Sequence, residues 1–269
     1  MRVIGYNYIA AFLTFGCNLQ CPYCITRLDG LKGKSNRTGS EWVNFINDLD
    51  IKEDVPVTLQ GGEPTMHPDF YKIVKGIREG ISLNLMTNIQ FDVREFSKKV
   101  GIDKFNRKAP FPSIRVSYHV GQMDRRNTIR KVKEMTDLGY SIGLYMLSHP
   151  INEEEIKAVE YECLELGVDF RLKEYLDRNV SKKLFKYGFE KDIMVKCRIT
   201  DLIIGPNLRM YRCHYDLYTG KNLIPFPERT FSPQWMPCEY PTKCNPCDVK
   251  IKNNRYQNWG YCSAEIETL

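Results

Sequence analysis

The chain has 269 residues, of which 42% are hydrophobic and 27% are charged, and its formal net charge is +6. This balance supports a folded protein with a sizeable core and excludes a chain that is disordered over most of its length. No apolar run approaches the roughly 18 residues of a membrane-spanning helix, and the N-terminus lacks the pattern of a secretory signal peptide. We therefore expect a cytoplasmic protein, with no clear indication of nucleic-acid binding.

Blocks with strand-like and helix-like patterns alternate along the first 175 residues. The predicted strands span Tyr8–Thr14, 55–59, 81–86, 114–118, 141–147 and 168–174. One predicted helix is capped by Ser40, and three others span 69–78, 92–100 and 127–138. A fifth helix is capped by Asn152 and ends at Leu166. This alternation predicts a parallel sheet with right-handed crossovers. Because six strands fall short of the eight in a closed barrel, we expect an α/β fold with a partial (β/α)6 barrel.

The alternating pattern ends after residue 176. We therefore predict one domain over 1–176 and a second, cysteine-rich domain over 177–269. Within the second, Gly205-Pro206-Asn207 indicates a turn, and the alternating segment from Arg209 to Cys213 indicates a strand after it. These features predict a β-hairpin with a cysteine at its far end.

The chain contains ten cysteines, and nine of them fall into two groups, one near each end. A protein without a signal peptide is kept reduced, so disulfides are a poor explanation for them. Clustered cysteines in a reducing compartment more often bind metal.

The first group, Cys17-x3-Cys21-x2-Cys24, follows the first predicted strand. In parallel sheets of this kind the chemistry lies at the carboxyl ends of the strands. Three thiolates can hold three irons of a [4Fe–4S] cluster and leave the fourth iron open to a small molecule. A zinc ion, which more often takes four ligands, and three cysteines without a ligand are the alternatives.

The segment Gly61-Gly62-Glu63-Pro64 follows the second predicted strand, at the same edge of the sheet. Glycines allow the backbone to approach a ligand closely, and exposed carbonyls can accept hydrogen bonds from an ammonium group.

Together, the cysteine and glycine motifs resemble those of the radical SAM enzymes, and the resemblance covers residues 8 to 175. It implies that the open iron binds the amine and carboxylate of S-adenosylmethionine. It also implies that reduction of the cluster cleaves this molecule to a 5′-deoxyadenosyl radical, which abstracts hydrogen from a substrate.

The resemblance also assigns residues to the cofactor. Tyr23 is expected near the adenine, and Gly61, Gly62, Glu63 and Pro64 are expected to hold the methionyl amino group. Asn88 and Ser117, at the ends of the third and fourth predicted strands, are expected to contact the ribose or the methionyl carboxylate. Asn88 as a turn residue and Ser117 as a small strand residue are the alternatives. His119 is either a substrate contact, a proton relay or a polar strand end.

The second group of cysteines resembles the twitch and SPASM auxiliary-cluster domains of this family. Its members are Cys197, Cys213, Cys238, Cys244, Cys247 and Cys262. Four of them, Cys197, Cys213, Cys244 and Cys247, match the twitch arrangement, which implies one auxiliary [4Fe–4S] cluster. The full SPASM form has one cysteine more and holds two auxiliary clusters, so two clusters are one alternative. A structural zinc site and the absence of metal are the others.

Two further residues, His214 and Cys163, are candidates for a metal ligand and a core residue, respectively. His214 is either a nitrogen ligand or, by preference, a surface residue. Cys163, alone within a predicted helix, is expected to pack in the core.

The resemblance predicts a substrate that is dehydrogenated, epimerised or crosslinked with the help of the auxiliary cluster. Because only seven residues precede the first strand, we expect no leader-binding domain there and favour a small polar substrate such as a sugar, cyclitol or nucleoside. A peptide or protein side chain is the alternative substrate, and an iron–sulfur electron carrier is the non-enzymatic one. A flavodoxin or ferredoxin is the expected reductant.

Overall fold

The computed structural model of the chain describes residues 1–24, 37–52, 55–148, 152–174, 194–221, 224, 230–238 and 264–269. The strands are Arg2–Val3 (β1), Tyr8–Thr14 (β2), Val57–Gly61 (β3), Leu83–Thr87 (β4), Ile114–Ser117 (β5), Ile142–Ser148 (β6), Asp169–Glu174 (β7), Val195–Ile199 (β8), Asp201–Ile204 (β9), Met210–Tyr211 (β10), Thr230–Phe231 (β11), Met236–Cys238 (β12) and Ala264–Thr268 (β13). The helices are Gly39–Asn47 (α1), Phe70–Gly76 (α2), Val93–Lys99 (α3), Arg125–Asp137 (α4), Glu153–Glu165 (α5) and His214–Thr219 (α6), and Pro64–Met66 and Ile102–Phe105 form short 3₁₀ turns.

The main sheet has eight strands in the order β10-β9-β2-β3-β4-β5-β6-β7. The six strands β2 to β7 are parallel, and α1 to α5 connect them. The predicted α/β partial barrel is therefore confirmed. No helix within the described ranges is long and apolar enough to cross a membrane.

Strand β2 lies inside the sheet, with β3 on one side and β9 on the other. All seven of its residues are buried. Its register against β3 shifts between Phe12 and Thr14, so Thr14 lies opposite Gly61. This bulge turns the end of β2 toward the glycine segment that follows β3.

The two faces of the sheet carry different residues. Outward-facing side chains such as Ile9, Leu59, Leu85 and Val116 pack against the helices in the main hydrophobic core. The opposite, concave face carries a small cluster that includes Tyr8 and Phe12 of β2 together with Leu217 and Tyr218 of α6. Helix α6 therefore packs on the concave face of β2.

The predicted hairpin is present, formed by β9 and β10 around the Gly205 turn. Strand β9 also pairs in parallel with β2, so the hairpin extends the barrel sheet. Cys213 lies beyond β10 and begins α6, and Cys197 lies in β8, which pairs with β12 and β13 in a separate sheet. The domain boundary at residue 176 stays a prediction.

The predicted cap of the first helix is wrong. Helix α1 begins after Thr38, whose hydroxyl accepts a hydrogen bond from the Glu41 backbone N–H, while the Glu41 carboxylate accepts one from the Thr38 N–H. Ser40 lies inside the helix. At the start of α5, Asn152 occupies the cap position but makes no side-chain cap bond.

This reciprocal cap predicts the effects of two substitutions. Thr38→Ala should lower the free energy of unfolding by about 1 kcal/mol because it removes an acceptor from the first turn of α1. Ser40→Ala, a matched control two residues further on, should leave stability unchanged or raise it by about 0.5 kcal/mol through helix propensity. Urea unfolding of both variants checks this, and an equal loss in both would contradict the cap assignment.

Candidate functional site

The first cysteine group lies on the loop after β2, at the carboxyl edge of the parallel strands. Cys17 is exposed, Cys21 is buried and Cys24 is partly buried, and the Cys24 N–H donates to the Cys21 carbonyl at 3.2 Å. Among the described residues, no three His, Cys, Asp or Glu side chains are arranged to hold a single metal ion. Three thiols on one loop are the donor set for a cluster that has three protein ligands and an open iron.

The glycine segment packs directly on the start of this loop. The Gly62 N–H donates to the Thr14 carbonyl and the Glu63 N–H to the Gly16 carbonyl, both at 2.8 Å. A Cβ atom on Gly62 would lie 2.2 Å from the Gly16 oxygen, and Gly61 has φ of +139°. Both positions therefore require glycine. This close approach fits the predicted role of the segment in binding a ligand beside the cysteine loop.

The Glu63 side chain is buried and joins the ends of two strands. Its Oε1 accepts hydrogen bonds from Thr65 N–H at 3.1 Å, the Thr65 hydroxyl at 2.6 Å and the Thr87 hydroxyl at 2.8 Å, and its Oε2 accepts from the Asn88 N–H at 2.7 Å. Burial raises the pKa of this carboxyl, and the hydrogen-bond donors oppose that shift. Pro64 begins the 3₁₀ turn that follows.

Asn88 connects the loop after β4 to the cysteine loop. Its Nδ2 donates to Oδ1 of Asn18 at 2.7 Å. The next residue, Ile89, is buried and has φ of +55°. The Lys131 ammonium holds this strained turn by donating to the carbonyls of Ile89 and Phe91 at 3.1 and 2.7 Å. Nothing in the local sequence pattern singles out Lys131.

The loop after β5 contacts the cysteine loop at two points. The Tyr23 hydroxyl lies 3.1 Å from Nδ1 of His119, and Oε1 of Gln122 accepts a hydrogen bond from the Gln20 N–H at 3.0 Å. Burial, with a smaller contribution from the positive charge of Lys173, lowers the pKa of His119 to about 4. His119 is therefore a neutral contact of Tyr23 near pH 7. Sequence reasoning missed Gln122.

Ser117 lies at the end of β5, on the same face as Arg115, and its register partner on β6 is Tyr145. The predicted cofactor residues therefore follow three neighbouring strands, β3, β4 and β5, and Tyr23 reaches the last of these loops through His119. All of them lie at the edge where the cysteine loop begins.

Three cysteines of the second group lie in the described part of the chain. Cys197 is buried in β8, Cys238 ends the paired strand β12, and the Cys213 Sγ accepts from the Asp216 N–H at 3.4 Å as the cap of α6. Arg212 forms a buried ion pair with Asp216 at 3.0 Å and donates to the Pro237 carbonyl, next to Cys238, at 2.8 Å. The predicted ligands Cys244, Cys247 and Cys262 lie outside the described residues.

The preferred interpretation of His214 as a surface residue is wrong. It is buried, its Nδ1 lies 3.8 Å from a carboxylate oxygen of Asp201, and its ring meets the ring of Phe12 edge-on. Cys163 is fully buried in the core, as predicted, and burial raises the pKa of its thiol to about 12.

Comparisons with known proteins bear on the family and the fold of this chain. The family model of the radical SAM superfamily matches residues 12–161. The solved structure of anSMEcpe with bound AdoMet and Kp18Cys peptide has a TM-score of 0.54 and 14% identity, with 80% of this chain and 74% of that one covered. A histidine-tagged form of anSMEcpe with bound AdoMet gives a TM-score of 0.55 and 13% identity over the same shares of the two chains.

A third structure, Streptococcus suis SuiB bound to the precursor peptide SuiA, has a TM-score of 0.47 and 17% identity, with 64% of this chain covered. The chain spans 40% of the length of SuiB. At these identities the similarity of the solved structures concerns the fold.

The hydrogen bonds of Glu63 predict that replacing its carboxylate by an amide destabilises the protein. Glu63→Gln should lower the free energy of unfolding by about 1–3 kcal/mol, because either orientation of the amide turns its NH₂ toward an N–H donor. The control is Glu160→Gln, an exposed residue of α5. Guanidinium unfolding of both variants measures the difference. Equal stability of Glu63→Gln and wild type would contradict the network.

His119 should titrate near pH 4 rather than near the 6.5 of an exposed imidazole. Because the folded-state pKa is lowered, the contribution of His119 to stability is present above pH 6.5 and is lost as the pH falls toward 4. The chain has four histidines, so carbon-detected NMR can follow each ring, and His119→Gln identifies the resonance. A measured pKa near 6.5 would contradict the burial of this ring.

Proposed function

Because this chain belongs to the radical SAM superfamily, we propose that it modifies a side chain of a peptide or protein substrate. The chain is an enzyme that uses a [4Fe–4S] cluster and S-adenosylmethionine. When bound, these two supply the 5′-deoxyadenosyl radical that removes a hydrogen atom from the substrate. The protein residues bind and orient these groups and the substrate around them.

The residue assignments of the cofactor site are part of this proposal. Cys17, Cys21 and Cys24 hold the cluster, and Tyr23 lies beside the adenine. The backbone of Gly61 and Gly62 binds the methionyl amino group, and Glu63 and Pro64 hold that backbone in place. Asn88 and Ser117 contact the ribose or the methionyl carboxylate. The supporting observation is that the loops carrying these residues are joined by the hydrogen bonds of Glu63, Asn88, His119 and Gln122.

The extent of the fold similarity carries the choice of a peptide substrate. The likeness to anSMEcpe covers 80% of this chain, which is more than the segment from β2 to β7. That structure has bound AdoMet and a bound Kp18Cys peptide. This similarity favours the peptide alternative over the small polar substrate expected from the sequence.

An auxiliary [4Fe–4S] cluster in the C-terminal part is a further element of the proposal. Its ligands come from Cys197, Cys213, Cys238, Cys244, Cys247 and Cys262. The supporting observation is that Arg212, next to Cys213, donates to the carbonyl of Pro237, next to Cys238, on the strand that pairs with the one carrying Cys197. Such a cluster would supply an acceptor for the second electron of a substrate oxidation. A flavodoxin or ferredoxin, attracted by the net charge of +6, supplies the first electron.

The metal content tests the cofactor assignments. Anaerobically reconstituted wild type should hold about eight irons, in two [4Fe–4S] clusters. The triple variant Cys17→Ala/Cys21→Ala/Cys24→Ala should hold about four and cleave no S-adenosylmethionine. About four irons in the wild type and none in the variant would remove the auxiliary cluster from the proposal.

Substrate-dependent turnover tests the proposed activity. Reduced wild-type enzyme should form 5′-deoxyadenosine faster with a mixture of synthetic peptides than without it, and mass spectrometry should detect a modified peptide. The triple cysteine variant is the control for unrelated peptide oxidation. Stimulation by sugars, cyclitols or nucleosides and by no peptide would reject the peptide substrate.

A further inference from the structure

A layer of polar side chains lies on the concave face of the barrel, below the cofactor residues. Tyr8, Thr58, Asn84 and Arg115 contribute one residue each from β2, β3, β4 and β5. The sequence neighbours of the last three, among them Leu59, Leu85 and Val116, belong to the core on the helix side. Because successive residues of a strand point to opposite faces, the polar side chains point into the barrel.

Two hydroxyl groups and an aromatic ring contact the Arg115 side chain in the described part of the chain. Its Nη2 donates to the Tyr8 hydroxyl at 3.2 Å and reaches the Thr58 hydroxyl at 3.5 Å, and its guanidinium stacks 5.2 Å from the centre of the Phe111 ring. Its Nε is buried and donates to no described residue. Its hydrogen bonds to described residues thus go to hydroxyl groups, and the residue is partly exposed.

Asn84 adds a second unmatched group. It is fully buried, and neither its Oδ1 nor its Nδ2 has a hydrogen-bond partner within the described parts of the chain. Its register partner is Thr58, and Arg115 lies opposite Met86, two residues further along β4. Asn84 and Arg115 are therefore diagonal neighbours on one face. Buried amide groups are nearly always paired in folded proteins, so the Asn84 amide has hydrogen-bonding capacity for a ligand.

We propose that Arg115 and Asn84 bind a carboxylate group of the substrate. The Arg115 Nε–H and the Asn84 NH₂ are two donors without partners among the described residues, on one face of neighbouring strands, and together they match the two acceptor oxygens of a carboxylate. Arg115 precedes Ser117 by two residues on β5, a distance of about 7 Å along a strand. A substrate anchored at Arg115 therefore extends toward the edge where Ser117 and the cysteine loop lie, and its anchored end stays away from the reacting atoms.

This inference deepens the proposed function and rests on it for the nature of the substrate. In a peptide, the carboxylate comes either from an Asp or Glu side chain or from the C-terminus. Either carboxylate would accept the same hydrogen bonds from Arg115 and Asn84. The experiment below separates the two sources, and it measures binding without turnover, so its outcome does not depend on peptide modification.

The test follows the Arg115 Nε–H resonance by NMR in full-length, cluster-loaded protein labelled with [15N]arginine. Arg115→Lys identifies the resonance. The probes are N-acetyl-glutamate amide, with a side-chain carboxylate, N-acetyl-alanine, with a terminal carboxylate, and neutral N-acetyl-glutamine amide. We expect a saturable shift with one or both carboxylate probes and none with the neutral probe. The probe that binds more tightly identifies the source.

Variants test the two residues separately. Thermal stabilisation by the tighter carboxylate probe should indicate a dissociation constant raised about tenfold or more in Arg115→Met and several-fold in Asn84→Ala. Arg126→Met, an exposed residue of α4, is the matched control and should bind like wild type. Arg115→Lys keeps the positive charge and should bind the carboxylate probe more tightly than Arg115→Met. This difference would show that the weaker binding of Arg115→Met comes from the lost charge rather than from a folding defect.

Three results would overturn the inference. The first is an Arg115 resonance that neither carboxylate probe shifts, which would mean that the polar layer is only hydrated. The second is an equal shift with the neutral probe. The third is unchanged carboxylate binding in folded Asn84→Ala, which would remove the two-residue site. Failure of the peptide turnover assay alongside normal carboxylate binding would reject the peptide substrate and leave the subsite in place.

Discussion

The mouth of the barrel depends on the buried carboxylate of Glu63. A carboxylate in this position is unfavourable unless donors surround it, and here both oxygens accept hydrogen bonds from the ends of β3 and β4. The same segment donates its backbone N–H groups to Thr14 and Gly16, at the start of the cysteine loop. The path of that loop is therefore set by a residue that carries none of the thiols. In this chain Glu63 acts by positioning the backbone, since its oxygens are already engaged.

Further contacts of the cysteine loop come from the loops after β4 and β5. Asn88 reaches it from the loop after β4, and His119 and Gln122 reach it from the loop after β5. Lys131 of α4 in turn holds the strained backbone beside Asn88. Three strand ends thus converge on one loop, and preorganisation of this kind lowers the entropic cost of binding a cofactor there. Burial keeps His119 neutral near pH 7, so its contact with Tyr23 adds no charge beside the cluster loop.

Particular residues show how far the sequence determines these features. Strand β2 matches its predicted bounds because an uninterrupted apolar run ends at a glycine. The start of α1 was misassigned because Thr38 and Ser40 are both good caps, although Glu41, three residues after Thr38, marks the correct one. The motifs identified Glu63 and Asn88, but their mutual contact depends on which strands become neighbours. The same holds for His214, whose burial against Asp201 and Phe12 is a tertiary contact that no local pattern encodes.

The pairing of β9 with β2 has a consequence for the C-terminal cysteines. Only Thr200 separates β8, which carries Cys197, from β9, and β9 runs beside the strand that leads to Cys17. Cys213 begins α6, and α6 packs through Leu217 and Tyr218 on the concave face of β2. Both cysteines thus lie within a few residues of strands of the barrel sheet, Cys197 before β9 and Cys213 after β10. A metal centre built on them would have a fixed position relative to the first cysteine loop, which electron transfer between two centres or to a substrate between them requires.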